Sequence, residues 1–199
     1  MSSHYYEQSP DKESDERKIE SYLRGKTMKF TSDHGVFSKR EVDFGSRTLL
    51  ESFTWPELQG DILDMGCGYG PIGITLAAET ERAVWLADVN KRAVSLAEKN
   101  ADTYSLNNIK VVESNLFSSI SKSDFAAIIS NPPIRAGKKV VHSLFEQAAK
   151  HLQSEGELWV VVQKKQGAPS AKDKLESVFR EVETVNKNKG YYIFRAKKS

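Results

Sequence analysis

The chain has 199 residues, of which 39% are hydrophobic and 28% charged, with a net charge of +2. These values suit one globular domain with an extension. They exclude a membrane-spanning protein, because no apolar run is long enough to cross a bilayer. The polar N-terminus is not a secretory signal. One cysteine cannot form an internal disulfide or a cysteine-based zinc cluster, and His34 and His142 lack metal-ligand partners at usable spacing. We therefore expect a cytoplasmic protein without a metal.

The first third of the chain predicts an arm followed by an extension. Residues 1–20 are polar and charged, which is typical of a peripheral arm. Residues 22–38 alternate in character and contain the turn signal Ser-Asp-His-Gly, so they predict a β-hairpin. The string DFGSRTLLESF predicts a short helix after it. Residues 21–60 are therefore expected to form a hairpin and helix ahead of the main domain.

From residue 61 onward, strand and helix patterns alternate. The predicted strands are DILDM, AVWLADV, IKVVES, FAAIIS and GELWVVVQ, followed by VETVNKN and YYIFRAK as a closing pair. The predicted helices are PIGITLAAET, KRAVSLAEKNADTYS, KVVHSLFEQAAKHLQ and SAKDKLESVF, the last with Ser170 as its N-cap. This alternation predicts an α/β domain over residues 61–199, with a mostly parallel seven-stranded sheet and helices on both faces.

Ligands of such sheets bind beyond the carboxyl ends of the strands. There the first strand runs into DMGCGYG, whose glycines Gly66, Gly68 and Gly70 allow a backbone to approach a ligand closely. Their spacing is not that of the dinucleotide fingerprint. Asp88 ends the second strand and can accept hydrogen bonds from both hydroxyls of a ribose. Alternatively, Asp88 caps the next helix, although Asn90 can fill that role.

The fourth strand ends in Asn131-Pro132-Pro133. A residue before proline is held extended, and proline itself cannot donate to a sheet ladder. Asn131 is therefore expected to present a rigid amide at the strand end. The alternative is that the motif only terminates the strand.

Together these motifs resemble a class I S-adenosylmethionine-dependent methyltransferase, which has a Rossmann-like fold. The resemblance implies S-adenosylmethionine as cofactor. In that family the glycine loop surrounds the methionine part of the cofactor, and the acidic residue at the end of the second strand binds its ribose. A polar residue at the end of the third strand contacts its adenine. Many relatives have Asp where this chain has Asn. By position, the implied cofactor-binding residues are Asp64, Gly66, Gly68, Asp88 and Asn115.

The Asn-Pro-Pro motif resembles that of methyltransferases acting on planar amines, such as base amines or a glutamine amide. In this reading the side-chain oxygen of Asn131 and the carbonyl of Pro132 accept the two amine hydrogens, and Pro133 helps to hold the geometry. Most relatives have an aromatic residue next, where this chain has Ile134. That departure weighs against a DNA adenine or protein glutamine target. Phe37 is our candidate for stacking on the base, and it could equally be a core residue.

Longer strings narrow the resemblance: GVFSKREVDFGSR, DMGCGYGPIG, NPPIRAGKKVVH and QKKQGAPSAKDKLE resemble the catalytic half of the ribosomal RNA small-subunit methyltransferase C group. Those enzymes methylate the exocyclic N2 of a guanine in 16S ribosomal RNA. The chain resembles a short, single-domain form found in Gram-positive bacteria. The implied partner is 16S RNA or the 30S subunit, and we expect a monomer or weak dimer.

The charge distribution agrees with an RNA partner. Residues 135–199 contain 14 Lys and Arg against 7 Asp and Glu, which favours an anionic ligand for this part or, equally, a solvated basic surface. Two other functions stay open: methylation of another amine, such as a tRNA guanine or a protein glutamine, and a non-catalytic RNA-binding or assembly factor. Candidate RNA contacts besides Phe37 are Arg47, Arg135, Lys138, Lys139, Lys164 and Lys165.

Overall fold

The structure is a computed structural model that describes residues 13–36 and 40–199. It begins with an antiparallel hairpin of β1 (Arg17–Leu23) and β2 (Lys26–Ser32). The turn is Arg24-Gly25, and both residues have positive φ, 48° and 79°, as a two-residue type I′ turn requires. The predicted hairpin over residues 22–38 was therefore wrong in its bounds. The first strand starts within the predicted arm, and Ser-Asp-His-Gly follows the hairpin instead of closing it.

Arginine is unusual at the first position of such a turn, which explains why the sequence pattern did not reveal it. The strain at Arg24 is offset by tertiary contacts. Its backbone N–H donates to Glu51, and its guanidinium donates to Glu79 and to the carbonyls of Leu50 and Phe53. A residue with these partners is held in place whatever its local preference.

The seven remaining strands form one sheet in the order β5-β4-β3-β6-β7-β9-β8. Strands β3 to β7 are parallel, and β9 is antiparallel to both of its neighbours. This is the predicted Rossmann-like α/β fold. The strands are β3 (Ile62–Met65), β4 (Val84–Asp88), β5 (Ile109–Glu113), β6 (Phe125–Ser130), β7 (Leu152–Gln163), β8 (Glu181–Asn188) and β9 (Tyr191–Lys197).

Five helices accompany the sheet. Three of them follow a glycine with φ near 100°, which turns the chain away from the strand end. Gly70 precedes α2, Gly137 precedes α4 and Gly167 precedes α5. The predicted N-cap at Ser170 was therefore wrong, because α5 already begins after Gly167. The helices are α1 (Phe44–Ser52), α2 (Pro71–Ala77), α3 (Lys91–Thr103), α4 (Lys138–His151) and α5 (Ala168–Val178).

The strand pleat divides the core between two faces of the sheet. Ile62 of β3 faces a cluster that includes the hairpin, α1, α2 and α3, whereas Leu63 and Met65 face α4 and α5. Burying a side chain of this size contributes about 1.5–3 kcal/mol, so each face stabilises the sheet. Within the described ranges no helix has the length and apolar character needed to cross a membrane.

Strands β3 and β6 lie side by side at the centre, where the order of connections reverses. The chain leaves β3 toward β4 on one side and returns to β6 on the other. Such a switch point opens a crevice at the carboxyl ends of the strands. The hydroxyl of Ser130 donates to the carbonyl of Met65 at 2.8 Å, which ties the two strand ends together beneath that crevice.

Candidate active site

A cleft lies at the carboxyl ends of β3, β4, β5 and β6, as the strand-end rule predicts. Four of the predicted site residues meet in it: Gly66, Asp88, Asn131 and Pro133. They come from three strand ends that are far apart in the chain. The complete lining is Met65, Gly66, Asp88, Val89, Ser114, Leu116, Asn131, Pro133 and Leu144.

The glycine loop turns sharply at the end of β3. The N–H groups of Gly66 and Cys67 both donate to the carbonyl of Ala87, at 2.8 and 2.9 Å. Gly66, Gly68 and Gly70 have φ of 77°, 56° and 101°, values that L-residues rarely adopt. A Cβ atom at Gly66 or Gly68 would meet nothing closer than 4.0 Å. Backbone conformation, not space, therefore requires glycine at these two positions.

Asp88 joins that loop to the end of β4. Its Oδ2 accepts the Gly68 N–H at 2.8 Å, and its Oδ1 accepts the Asn90 N–H at 2.9 Å. Asn90, not Asp88, caps α3, accepting from Arg92 and Ala93. Only 2% of Asp88 is exposed. A carboxylate has about four acceptor positions, and the contact of Asp88 with a cofactor ribose stays a prediction.

Asp64, in β3, fixes the start of the helix that follows the glycine loop. Its Oδ2 accepts the N–H of Gly73, in the first turn of α2, at 2.9 Å. Burial raises its pKa to about 7; the Gly73 bond opposes this shift, and the nearby Asp88 charge adds to it. A Cβ atom at Gly73 would stand 2.7 Å from Leu86, so only glycine lets α2 approach. Asp64 is not among the residues lining the cleft, and its contact with the cofactor stays a prediction.

At the end of β5 the cleft is lined by Ser114 and Leu116, whereas Asn115 between them is exposed. The Ser114 hydroxyl donates to the Leu116 carbonyl at 2.6 Å and accepts from Ser119 at 3.0 Å. Leu116 has φ of 49°. The strand-end pattern found the right place in the chain, but the local turn decides which side chain faces inward. The adenine contact of Asn115 stays a prediction.

The side-chain nitrogen of Asn131 is hydrogen-bonded to the N-terminus of α1. Its Nδ2 donates to Asp43 Oδ2 and to Ser46 Oγ, both at 3.0 Å. Asp43 is the N-cap of α1, and the same Oδ2 accepts the Ser46 N–H at 3.1 Å. Sequence reasoning did not identify these two residues. An Asp three positions before a Ser at a helix start indicates only a cap, and nothing local links it to Asn131.

The carbonyl of Pro132 already has one partner. It accepts the N–H of Ile134 at 2.8 Å, across Pro133 with φ −76° and ψ 74°, which is an inverse γ-turn. The two prolines offer no competing donor, but the residue after them does. A carbonyl oxygen has two lone pairs, so one remains for a substrate amine. The catalytic contacts of Asn131, Pro132 and Pro133 stay predictions.

The predicted cationic contacts lie around this edge of the sheet. Five of them are exposed, follow the ends of β6 and β7, and form no ion pair with any residue that the structure describes. Their charges are therefore available to an anionic ligand. They are Arg135, Lys138, Lys139, Lys164 and Lys165.

Arg47 and Phe37 stand apart from this group. Arg47 is partly buried in α1 with its guanidinium 5.7 Å from the centre of the Phe44 ring, and its Nε has no hydrogen-bond partner in the described part of the chain. Phe37 lies outside the described residues. The aromatic contact for a substrate base therefore stays a prediction, as does the phosphate contact of Arg47.

Comparison with known proteins decides the family. The family model described as "Methyltransferase small domain" matches residues 27–195. The chain belongs to this family. Its members transfer methyl groups, and S-adenosylmethionine is the cofactor.

Among its relatives, this methyltransferase is 56% identical to the uncharacterized protein YbxB of Bacillus subtilis, over the whole length of both chains. It is 36% identical to ribosomal RNA small subunit methyltransferase C of Vibrio parahaemolyticus, covering 83% of this chain and 48% of that protein. The chain thus spans about half the length of that relative.

A solved structure is also similar: the T. thermophilus 16S rRNA N2 G1207 methyltransferase in complex with AdoMet and guanosine. The TM-score is 0.83 and the identity 25%, over 96% of this chain and 52% of that one. The matched part again amounts to about half of the longer protein.

The cleft of this methyltransferase fits its cofactor chemically. A turn of glycines brings backbone close to the site, the buried Asp88 carboxylate is of the kind that accepts hydrogen bonds from a diol, and Val89 and Leu116 are apolar lining residues of the kind that pack on a flat base. Burial raises the pKa of the Cys67 thiol, and the charges of Asp88 and Asp64 raise it further, which opposes formation of the nucleophilic thiolate. Within residues 13–36 and 40–199, no cluster of three or more ligating side chains could hold a metal.

Proposed function

We propose that this methyltransferase transfers a methyl group from S-adenosylmethionine to the exocyclic N2 amine of a guanine in 16S ribosomal RNA. The observation that carries the proposal is the side chain of Asn131, which lines the cleft with its nitrogen bonded to Asp43 and Ser46. Its oxygen is left to accept a hydrogen from a substrate amine. A ribosomal RNA substrate also implies a cytoplasmic enzyme.

The chemistry of a base amine explains the need for two acceptors. Its lone pair is delocalised into the ring, so the nitrogen is a poor nucleophile. Asn131 Oδ1 and the second lone pair of the Pro132 carbonyl would each accept one amine hydrogen and direct the lone pair toward the methyl group. Bound S-adenosylmethionine supplies that methyl group as an electrophile on a sulfonium. Fixed acceptors of this kind stabilise the charge that develops on the nitrogen.

The atoms balance without a dedicated base. The amine nitrogen forms a bond to the methyl carbon while the carbon–sulfur bond breaks and its electron pair stays on sulfur. The nitrogen then carries a positive charge and one proton too many. That proton is acidic enough to leave to water once transfer is complete, so Asn131 and Pro132 need only hold and orient.

The choice of guanine in ribosomal RNA rests on two relatives. One is a ribosomal RNA small subunit methyltransferase, and the other is a 16S rRNA N2 guanine methyltransferase bound to guanosine. Both are about twice as long as this chain. The five exposed cations after β6 and β7 support an RNA partner, because unpaired lysines and arginines bind phosphates. We propose that they hold RNA beside the cleft, on an enzyme that is a monomer or weak dimer.

The test is methyl transfer from radiolabelled S-adenosylmethionine to 30S subunits, deproteinised 16S RNA and bulk tRNA in parallel, followed by nucleoside analysis. We expect N2-methylguanosine in 30S or 16S material. Label only in tRNA would replace the substrate with a tRNA guanine. Absence of label in all three, with cofactor binding intact, would overturn the proposal.

A further inference from the structure

The N-cap residue of α1, Asp43, and a residue of its first turn, Ser46, contact the Asn131 amide. Asp43 lies 88 positions before Asn131 and Ser46 lies 85 positions before it, so only packing of α1 against the sheet brings them together. Helix α1 packs on one face of the sheet, against β7 and β9, through Leu49 and Leu50, both buried. The Asp43–Asn131 contact is therefore a link between the extension and the strand end.

Both hydrogens of the Asn131 amide are engaged in this contact. One points at Asp43 Oδ2 and the other at Ser46 Oγ, each at 3.0 Å. A carboxylate can only accept hydrogen bonds, so the amide must present its nitrogen to Asp43. Two bonds to the two hydrogens of one planar group fix its rotation. The direction of Oδ1 then follows, and Oδ1 accepts no hydrogen bond from the described part of the chain.

The charge of Asp43 acts on the same oxygen. A carboxylate bonded to the N–H side of an amide polarises it and makes its carbonyl oxygen a stronger acceptor. Positive charge develops on the target nitrogen during transfer, at the far side of that oxygen. The negative charge of Asp43 therefore stabilises the positively charged transition state through the Asn131 amide, without touching the substrate.

We propose that Asp43 and Ser46 are positioning residues for the transfer step: they hold the Asn131 amide by its nitrogen so that Oδ1 is aimed at the target amine. The inference rests on the proposed function, because that function gives Asn131 its role. It adds that the segment ahead of the glycine loop completes the active site. It also explains why the strand ends in an amide held so rigidly.

The variant Asp43→Ser separates positioning from helix capping. Serine is as good an N-cap as aspartate, so α1 keeps its cap, but its hydroxyl is too short to reach Asn131. Ser46→Ala removes the second contact alone. Ser52→Ala is the matched control: it removes a hydroxyl that donates to Thr48 at 2.7 Å on the same helix, away from Asn131.

Turnover on 30S subunits is the first readout. Asp43→Ser should lower kcat by about 100-fold and Ser46→Ala by about fivefold, with the KM for S-adenosylmethionine unchanged, and Ser52→Ala should leave both constants unchanged. In an Asn131→Ala background, Asp43→Ser should lower kcat no further, because there is no amide left to position. An additional loss of the same size in that background would overturn the proposal and indicate a structural role for Asp43.

The second readout needs no substrate, so it separates this inference from the proposed function. The side-chain ¹⁵N–¹H signals of Asn131 are identified by their absence in Asn131→Ala. Their hydrogen exchange should quicken about tenfold in Asp43→Ser and stay unchanged in Ser52→Ala. Unchanged exchange in Asp43→Ser would overturn the positioning. Absence of N2-methylguanosine with wild-type protein would overturn the proposed function alone.

Discussion

Asp88 and Gly68 are joined by a hydrogen bond of 2.8 Å from the Gly68 N–H to the Asp88 carboxylate. Gly68 lies in the middle of the glycine loop after β3, and Asp88 is the last residue of β4. The bond makes the loop and the neighbouring strand end one rigid wall of the cleft. The residue expected to hold the cofactor ribose is therefore also the residue that shapes the loop.

Asp88→Asn should weaken cofactor binding. An amide can accept one of the two backbone N–H groups now bonded to Asp88, but its own N–H₂ then faces the other donor. Bonds to a charged group contribute about 1.5–3 kcal/mol, so we expect S-adenosylmethionine affinity to fall at least about tenfold. Titration calorimetry measures this. Asp102→Asn, an exposed carboxylate on α3, is the control. Unchanged affinity in Asp88→Asn would remove Asp88 from the cofactor site.

Asn131→Ala should slow transfer strongly, leaving measurable residual turnover, and spare cofactor binding. Loss of one fixed acceptor lowers kcat by about 10²–10³-fold in comparable sites, while cofactor contacts at Asp88 and the glycine loop remain. Single-turnover methylation and cofactor calorimetry on the same preparation give both quantities. Full activity would refute the role of Asn131 and leave Asn-Pro-Pro as a strand terminator.

Asp64 should make folding stability depend on pH. Its pKa is raised to about 7 in the folded protein by burial, against 3.8 ordinarily. Between these values the folded state holds a proton that the unfolded state has lost, so stability falls as pH rises from about 4 to about 7 and is level above. Asp64→Asn lacks this titration. Its unfolding free energy relative to wild type should increase by about 3 kcal/mol between pH 5 and pH 8.

Urea unfolding at both pH values measures this difference, and the titrations of groups that do not interact with Asp64 cancel between the two proteins. A difference that does not change with pH would show that Asp64 keeps its ordinary pKa when folded.

Tyr69 and Tyr104 allow an internal comparison of a tyrosine hydroxyl without a hydrogen-bond partner in the described part of the chain and one with two. The Tyr69 hydroxyl is buried and has no hydrogen-bond partner among the described residues. The Tyr104 hydroxyl accepts the Lys29 N–H at 2.6 Å and donates to the Lys29 carbonyl at 2.9 Å. Tyr69→Phe should therefore be neutral or stabilising by up to about 1 kcal/mol, and Tyr104→Phe destabilising by about 1–2 kcal/mol. Thermal unfolding measures both effects. An equal fall in melting temperature for Tyr69→Phe and Tyr104→Phe would contradict the prediction.

Lys164 and Lys165 should contribute to RNA binding through phosphates. Both follow the end of β7 and form no ion pair in the described ranges. Changing both to Gln should weaken RNA binding and reduce the slope of log affinity against log salt by about 0.7–0.9 per lost contact. Cofactor affinity should not change.

The matched control changes Lys99 and Lys174 to Gln, because these lysines already pair with Glu16 and Glu146. Binding to 16S RNA fragments at several salt concentrations measures the slope. Equal slopes in both double variants would place the RNA elsewhere.

Much of the fold was predictable because its signals are local. Buried strands such as Phe125–Ser130 are short continuous apolar runs, and α4 has its apolar residues in one stripe, so periodic burial reveals both. The glycine loop was predictable for a different reason, since Gly66 and Gly68 adopt backbone angles that few other residues tolerate. The hairpin turn at Arg24 was missed because its partners Glu51 and Glu79 stabilise an arginine where local preference disfavours it.

The sequence by itself determined the α/β sheet, the places where strands end, and the residue types at those ends. These depend on hydrophobic period, glycine conformation and proline geometry, which act over a few residues. Only the tertiary structure decided that Ser114 and not Asn115 faces the cleft, that Ile134 bonds to the Pro132 carbonyl, and that Asp43 holds Asn131. These depend on the direction of single side chains and on packing between distant segments, and no short-range pattern records either.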